Sequence, residues 1–373
     1  MIKRLIQPKI EEKLFKGKVI IVYGARQVGK TTLIKEIQKG YQEDSLYLNC
    51  DEPDIRDNLT NKTSTELKAF IGNKKLVFFD EAQNVINIGI TLKLLVDNFP
   101  KIQIIATGSS SFELSNKIVE PLTGRKYEFY LYPFSYEELL DTYSSLEQMR
   151  LLEHRMVFGM YPEIIAGNEP KEEILSGLAR SYLYKDVLKY QDIRNPEMID
   201  KLLQALALQI GSEVSYNELA GITGADKNTV MSYIQILEKA FVIFRLRPFS
   251  RNLRNELKKL RKIYFYDSGI RNAIINNLNP LNLRQDVGAL WENFLVSERM
   301  KFLNNHGIRK NAYFWRTHQQ QEIDYLEEEG GHLKGFEFKW NKNKAHIPKA
   351  FLDAYPDSEI KIINKDNFFE FVS

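Results

Sequence analysis

The chain has 373 residues, 43% of them hydrophobic and 27% charged, which is enough for two or three cores built without disulfides. One cysteine excludes an internal disulfide framework, and a formal net charge of +3 is too small to imply a nucleic-acid partner by itself. No stretch approaches the ~20 apolar residues that span a bilayer. The opening segment lacks the apolar core of a secretory signal, so a cytoplasmic chain away from any membrane is expected.

In chain order, short apolar runs alternate with helical patterns over residues 1–135. Val19–Tyr23, Ser45–Asn49, Leu76–Phe79, Ile102–Ala106 and Tyr127–Leu131 read as strands, and Thr32–Lys39 as a helix. Strands spaced by helices imply an α/β fold with a parallel sheet covered on both faces. Cys50 ends the second run and reads as a buried small residue. Residues 136–195 are helical in pattern, a lid or connector. In residues 196–266, helices over Pro196–Ile210, Tyr216–Gly221 and Lys227–Phe241 precede a strand pair, Val242–Arg247 and Lys262–Tyr266, the order of a winged helix-turn-helix. Residues 267–373 mix helix and strand and form a further α/β domain.

Gly24-Ala25-Arg26-Gln27-Val28-Gly29-Lys30-Thr31 matches G-x-x-x-x-G-K-[ST] at every position, follows a predicted strand and, with Thr32, opens a predicted helix. Such a loop wraps the phosphates of ATP. Glycines stand where side chains would clash, while backbone N–H groups and the helix N-terminus face the anion. Lys30 adds charge toward the outer phosphates, and the Thr31 hydroxyl ligates Mg²⁺. The apolar strand Leu76–Phe79 ends in Asp80 and Glu81. Asp80 is placed to hold Mg²⁺, mostly through water, and Glu81 to polarise the attacking water.

Two residue types nearby leave alternatives open. The next strand ends Thr107-Gly108-Ser109-Ser110-Ser111; Ser109, with Thr107 second, would contact the γ-phosphate or the water, or the serines simply cap a helix. Arg125 would be an arginine finger for a neighbouring subunit, making the protein an oligomer, or an exposed arginine without a catalytic part. Arg180 would sense the γ-phosphate from the lid, although nothing in the sequence singles it out.

Taken in order, Ile20–Thr32, Phe79-Asp80-Glu81-Ala82-Gln83, Thr107–Ser111, Leu122–Arg125 and Leu131–Ser135 resemble the bacterial and archaeal AAA-superfamily ATPases that carry a C-terminal domain of unknown function. Gly159–Glu163, Tyr184–Val187, Tyr266–Ile270 and Gly288–Phe294 continue the resemblance over nearly the whole chain. It implies an ATPase joined to a winged helix and a restriction-endonuclease-like domain.

Within residues 267–373, Asp324 in Gln321–Leu326 and Glu337 and Lys339 in Gly335–Trp340 are similar to the D…(E)xK pattern of PD-(D/E)xK nucleases. Residues two apart share a face of a strand, so Glu337 and Lys339 point together, and a hairpin through Glu327–His332 would bring Asp324 beside Glu337. The carboxylates would hold a second Mg²⁺, Lys339 would orient water, and Glu292 would be a further ligand. The same alternation describes any half-buried strand with a solvated face. Ile323 replaces the proline that the nuclease pattern places before the acid.

A basic run, Arg245, Arg247, Arg251, Arg254, Lys258, Lys259, Arg261 and Lys262 against the single acid Glu256, would neutralise phosphates of duplex DNA. Lys227, Asn228, Thr229 and Ser232 would start a recognition helix, and Phe249 would stack on a base. His154, His306, His318, His332 and His346 lack metal-ligand spacing. Three readings follow: an ATP-hydrolysing, DNA-associated switch; an ATP-regulated nuclease; and a nucleotide-dependent protein-interaction switch.

Overall fold

The computed structural model describes residues 2–108, 121–181, 196–250, 261–317, 319–341, 344 and 347–373. Ser109–Ser111, Tyr184–Val187, Arg251, Arg254, Lys258, Lys259, His318 and His346 lie outside the described residues. The chain divides into two compact units, Met1–Tyr132 with Lys239–Phe241, and Pro133–Glu238 with Val242–Ser373.

In the first unit, β1 (Val19–Tyr23), β2 (Ser45–Asn49), β3 (Leu76–Asp80), β4 (Gln103–Gly108) and β5 (Lys126–Tyr130) form a sheet in the order β2-β3-β4-β1-β5. Every neighbouring pair is parallel, as the sequence predicts. Parallel strands are covered on both faces, which is why β1 and β3 read as unbroken apolar runs and are buried throughout. The helices are α1 (Gln7–Glu12), α2 (Lys30–Gln38), α3 (Pro53–Leu59), α4 (Ser64–Ile71) and α5 (Ile88–Asn98). A reciprocal capping box between Thr63 and Glu66 starts α4.

The second unit opens with α6 (Ser145–Phe158), α7 (Pro162–Ala166), α8 (Lys171–Ser181), α9 (Pro196–Leu208), α10 (Tyr216–Thr223) and α11 (Lys227–Lys239). Its sheet takes β6 (Glu213–Val214), β7 (Ile243–Pro248), β8 (Arg261–Phe265), β9 (Asn311–Arg316), β10 (Glu322–Glu329), β11 (His332–Phe338) and β12 (Glu359–Ile363) in the order β12-β11-β10-β9-β7-β8-β6. The strand pair expected after the third helix forms as β7 and β8. β7 then pairs in parallel with β9, so residues on either side of 266/267 share one sheet. The helices α12 (Ser268–Ile274), α13 (Val287–His306), α14 (Lys349–Ala354) and α15 (Phe369–Val372) complete the unit.

The segments Gly159–Glu163 and Tyr266–Ile270 lock together. Asp267 is buried, caps α12 by accepting from Ile270 N at 3.1 Å, and accepts from Met160 N at 2.7 Å. Asn272 adds bonds to the Met156 and Val157 carbonyls at 3.1 and 2.8 Å. Gly159 has φ +76°, and a Cβ there would lie 2.0 Å from Asp267 Oδ1. Gly159→Ala therefore strains the backbone and collides with a buried carboxylate, and is expected to cost about 2 kcal/mol or more. Thermal melting checks it: an unchanged Tm would show that the segment relaxes freely.

Candidate functional site

β1 runs into the loop at Gly24, and the loop ends where α2 begins at Lys30. The two glycines are required for different reasons. A Cβ on Gly24 would sit 2.2 Å from the Leu131 carbonyl oxygen, so the backbone just past β5, rather than a ligand, forbids a side chain there. Gly29 has φ +95° and leads into α2 from a left-handed conformation. Lys30 is 5% exposed, and its ammonium donates to the Gly24 and Ala25 carbonyls at 2.9 and 2.8 Å. Arg4, which no sequence signal marked, donates to the carbonyls of Val28 and, at 2.9 Å, Tyr132, and so fastens the loop from the N-terminal side.

Asp80 closes β3 beside this loop and is 3% exposed. Three hydroxyls donate to its carboxylate: Thr31 at 2.6 Å, Tyr47 at 2.7 Å, and Thr107. The parallel register that sets Asn49 against Asp80 brings Tyr47 within reach. Burial, reinforced by the bond to Asp80, raises the Tyr47 phenol above its ordinary range, so it stays a donor. Tyr47 carries no motif; its only sequence signal is a position two residues before the end of β2. Glu81 takes a left-handed conformation, φ 52°, accepts from Gln83 Nε2 at 2.5 Å and lies 4.0 Å from the Lys30 ammonium. Its N–H donates to Thr107 Oγ1 at 3.1 Å. The structure thus gathers Lys30, Thr31, Asp80, Glu81 and Thr107. It leaves Arg125 at the start of β5, where the following residue pairs with Val19, the far end of β1 from the loop. Arg125 is held instead by Asp97 at 2.6 Å. Ser109 lies outside the described residues. Thr32 is exposed on α2. Cys50 is buried and its thiol is pushed up to about 12 by burial, which leaves it inert.

In the second unit β10 and β11 form the expected hairpin, turning at Gly330 and Gly331. Asp324 Oδ2 accepts from Phe338 N at 2.8 Å, and Lys339 donates to Glu337 Oε1 at 2.7 Å. The solvated face offered as the alternative is not present at Glu337, which is 8% exposed. Glu292 accepts from Lys262 at 2.8 Å and Tyr264 at 2.6 Å. Sequence reading missed Lys262 and Glu322 as members of this cluster. Burial, together with Asp324, raises Glu292 to about 7 and Glu337 to about 6; burial also raises Asp324.

The expected nucleic-acid surface needs correction at two residues of the basic run and at Phe249. Lys262 is 1% exposed and paired with Glu292 and Glu322, so it faces no phosphate. Arg245 is gripped by Glu238 and bonds Tyr216 at 3.1 Å. Phe249 packs edge-on against Tyr313 and Tyr355 instead of offering a stacking face. Arg247 is exposed. On α11 Asp226 caps the first turn through Asn228 N and Thr229 N, and Lys227, Asn228, Ser232 and Gln235 are exposed.

Residues 16–140 match the family described as an AAA domain, so the chain carries an AAA-type P-loop domain. Residues 149–281 match a domain of unknown function (DUF8612), and residues 287–371 another (DUF4143). An uncharacterized protein of Methanocaldococcus jannaschii is 28% identical over 97% of this chain and 84% of its own length. One from Mycobacterium tuberculosis is 27% identical over 94% of this chain and 77% of its own. The Aeropyrum pernix ORC1 protein, solved in complex with DNA, aligns with 73% of this chain and 90% of its own at 13% identity and a TM-score of 0.35. Among the described residues no helix is long and apolar enough to cross a membrane.

Because Glu292 holds its proton more tightly folded than unfolded, its contribution to stability is full below pH 4.5 and is lost as pH rises toward about 7. Glu292→Gln, a permanent mimic of the protonated form, is expected to flatten the fall of stability between pH 5 and 7, by on the order of 2 kcal/mol. Melting curves at pH 5, 6 and 7 check this; parallel pH profiles for the two proteins would refute it.

Proposed function

We propose that the chain binds ATP with Mg²⁺ at Gly24–Thr32 and hydrolyses it. The observation that carries this reading is the Thr31 hydroxyl set 2.6 Å from the Asp80 carboxylate beside a buried lysine. These residues fit a magnesium nucleotide: two hard oxygen donors stand side by side, and the loop backbone approaches from one direction. Thr31 and Asp80 would hold Mg²⁺, and Lys30 would hold the outer phosphates. Mg²⁺ supplies charge neutralisation at the phosphate oxygens. Glu81, drawn up by Gln83 and anchored through its N–H on Thr107, would orient and polarise the attacking water. Tyr47 and Thr107 keep the Asp80 carboxylate in place while Thr31 turns to the metal.

Coupling to nucleic acid rests on the exposed polar face of α11, with Lys227, Asn228, Ser232 and Gln235, and on Arg247. The helices α9–α11 followed by β7 and β8 support the winged-helix reading of residues 196–266. The chain is read as an ATP-hydrolysing switch that contacts duplex DNA.

Lys30→Ala is expected to weaken nucleotide affinity about tenfold or more, while Glu81→Gln leaves affinity intact and lowers kcat about 100-fold or more. Nucleotide titration and steady-state hydrolysis separate the two, and a normal rate in Glu81→Gln would remove Glu81 from the chemistry. Hydrolysis is expected to rise with duplex DNA at low salt, and Lys227→Ala to reduce that rise. Hydrolysis indifferent to DNA would overturn the nucleic-acid coupling and favour a protein partner.

A further inference from the structure

A carboxylate cluster of the nuclease pattern implies a divalent metal, and the fit can be tested on its own atoms. Mg²⁺ needs near-octahedral oxygen ligands at about 2.1 Å and gives up its water reluctantly. Here each acid already has at least one oxygen engaged by a donor. Glu292 Oε1 takes the Lys262 ammonium at 2.8 Å and the Tyr264 hydroxyl at 2.6 Å. Glu322 Oε1 takes the same ammonium, while Glu322 Oε2 faces Arg316 at 3.4 Å. Asp324 Oδ2 takes a backbone N–H, and Glu337 Oε1 takes Lys339. Among the described residues no three acids, histidines or cysteines are grouped to hold a metal ion.

We infer that Lys262 is the resident cation of this cluster, an ammonium supplied by β8 that occupies the position a divalent metal would need and closes the site to metal-dependent cleavage. Its geometry supports the assignment from three sides. The side chain is 1% exposed, so its charge is met by protein groups and not by water. It meets α13 through Glu292 and β10 through Glu322, the same two elements that carry the candidate ligands Glu292 and Asp324. Its ammonium lies over the Phe314 ring, 5.5 Å from the centroid, a further contact favourable to a cation. Two carboxylates, Glu292 and Glu322, meet the ammonium directly and offset the cost of burying its charge. A second cation beside it would meet direct repulsion.

One oxygen, Glu337 Oε2, is buried without a hydrogen-bond partner. It does not demand a metal. The other oxygen of the same carboxylate already takes the Lys339 ammonium at 2.7 Å, so the group has a cation beside it without a divalent ion. The cluster is met by the ammonium groups of Lys262 and Lys339, whatever the nucleotide site does.

The test uses the full chain without nucleotide and Mn²⁺ as probe, with bound metal counted by loss of the free-ion electron paramagnetic resonance signal. The wild-type protein and Asp324→Asn are expected to bind the same number of Mn²⁺ ions. Lys262→Met, which keeps length and removes charge, is expected to gain about one site, and Lys262→Met with Asp324→Asn to lose it again. Mn²⁺ should raise the Tm of Lys262→Met more than that of the wild-type protein or of the double variant. A site in the wild-type protein that disappears in Asp324→Asn would overturn the inference, because the carboxylates would then hold metal despite the ammonium. So would a folded Lys262→Met that takes up no additional Mn²⁺. If Lys262→Met fails to fold, the comparison of wild type with Asp324→Asn decides.

Discussion

A carboxylate at the end of a wholly buried strand must find donors or give up its charge, and at Asp80 that requirement organises the edge of the first sheet. Leu76–Phe79 are fully buried, so solvent cannot serve Asp80 from below. Its donors come instead from α2, β2 and β4, as the hydroxyls of Thr31, Tyr47 and Thr107. Each element must hold its register for the set to meet, and the parallel pairing of β2, β3 and β4 supplies it. The loop between β1 and α2 lies against the same edge. Its shape is set at Gly24 by the Leu131 carbonyl just past β5 and at Val28 by Arg4.

The second unit meets the same problem twice and solves it differently. Asp267 is surrounded by backbone N–H groups, which bind Gly159–Met160 to the start of α12 and leave no room for a side chain on Gly159. The acids near the start of the long helix and on the hairpin are met by an ammonium from another strand. Both solutions join segments that lie far apart in the chain, and both make a polar group a fold determinant.

The two acidic places differ in what surrounds them. Neutral hydroxyls around Asp80 can rotate and share an oxygen with a metal ion. A buried ammonium carries a full charge and cannot share. Two strands ending or carrying acids are therefore suited to different work, although along the chain both read as an apolar run with carboxylates.

Much of the first unit was legible in the sequence. Strands buried on both faces read as apolar runs, and a phosphate loop is a contiguous device, so its eight residues stand together in the chain. Helix order in the second unit was legible for the same local reason, through period and turn residues. What the sequence could not carry was the identity of partners. Tyr47 reaches Asp80 across 33 residues, and Lys262 reaches Glu292 across 30. Charge counted along the chain placed Lys262 and Arg245 on a basic surface, whereas the sheet turns one inward and the other onto Glu238. The sequence by itself determined the elements and the contiguous loop, because propensity and periodicity act over a few residues. Only the tertiary structure decided which charges are solvated and which are buried in pairs, because burial is a property of strands and helices brought together from distant parts of the chain.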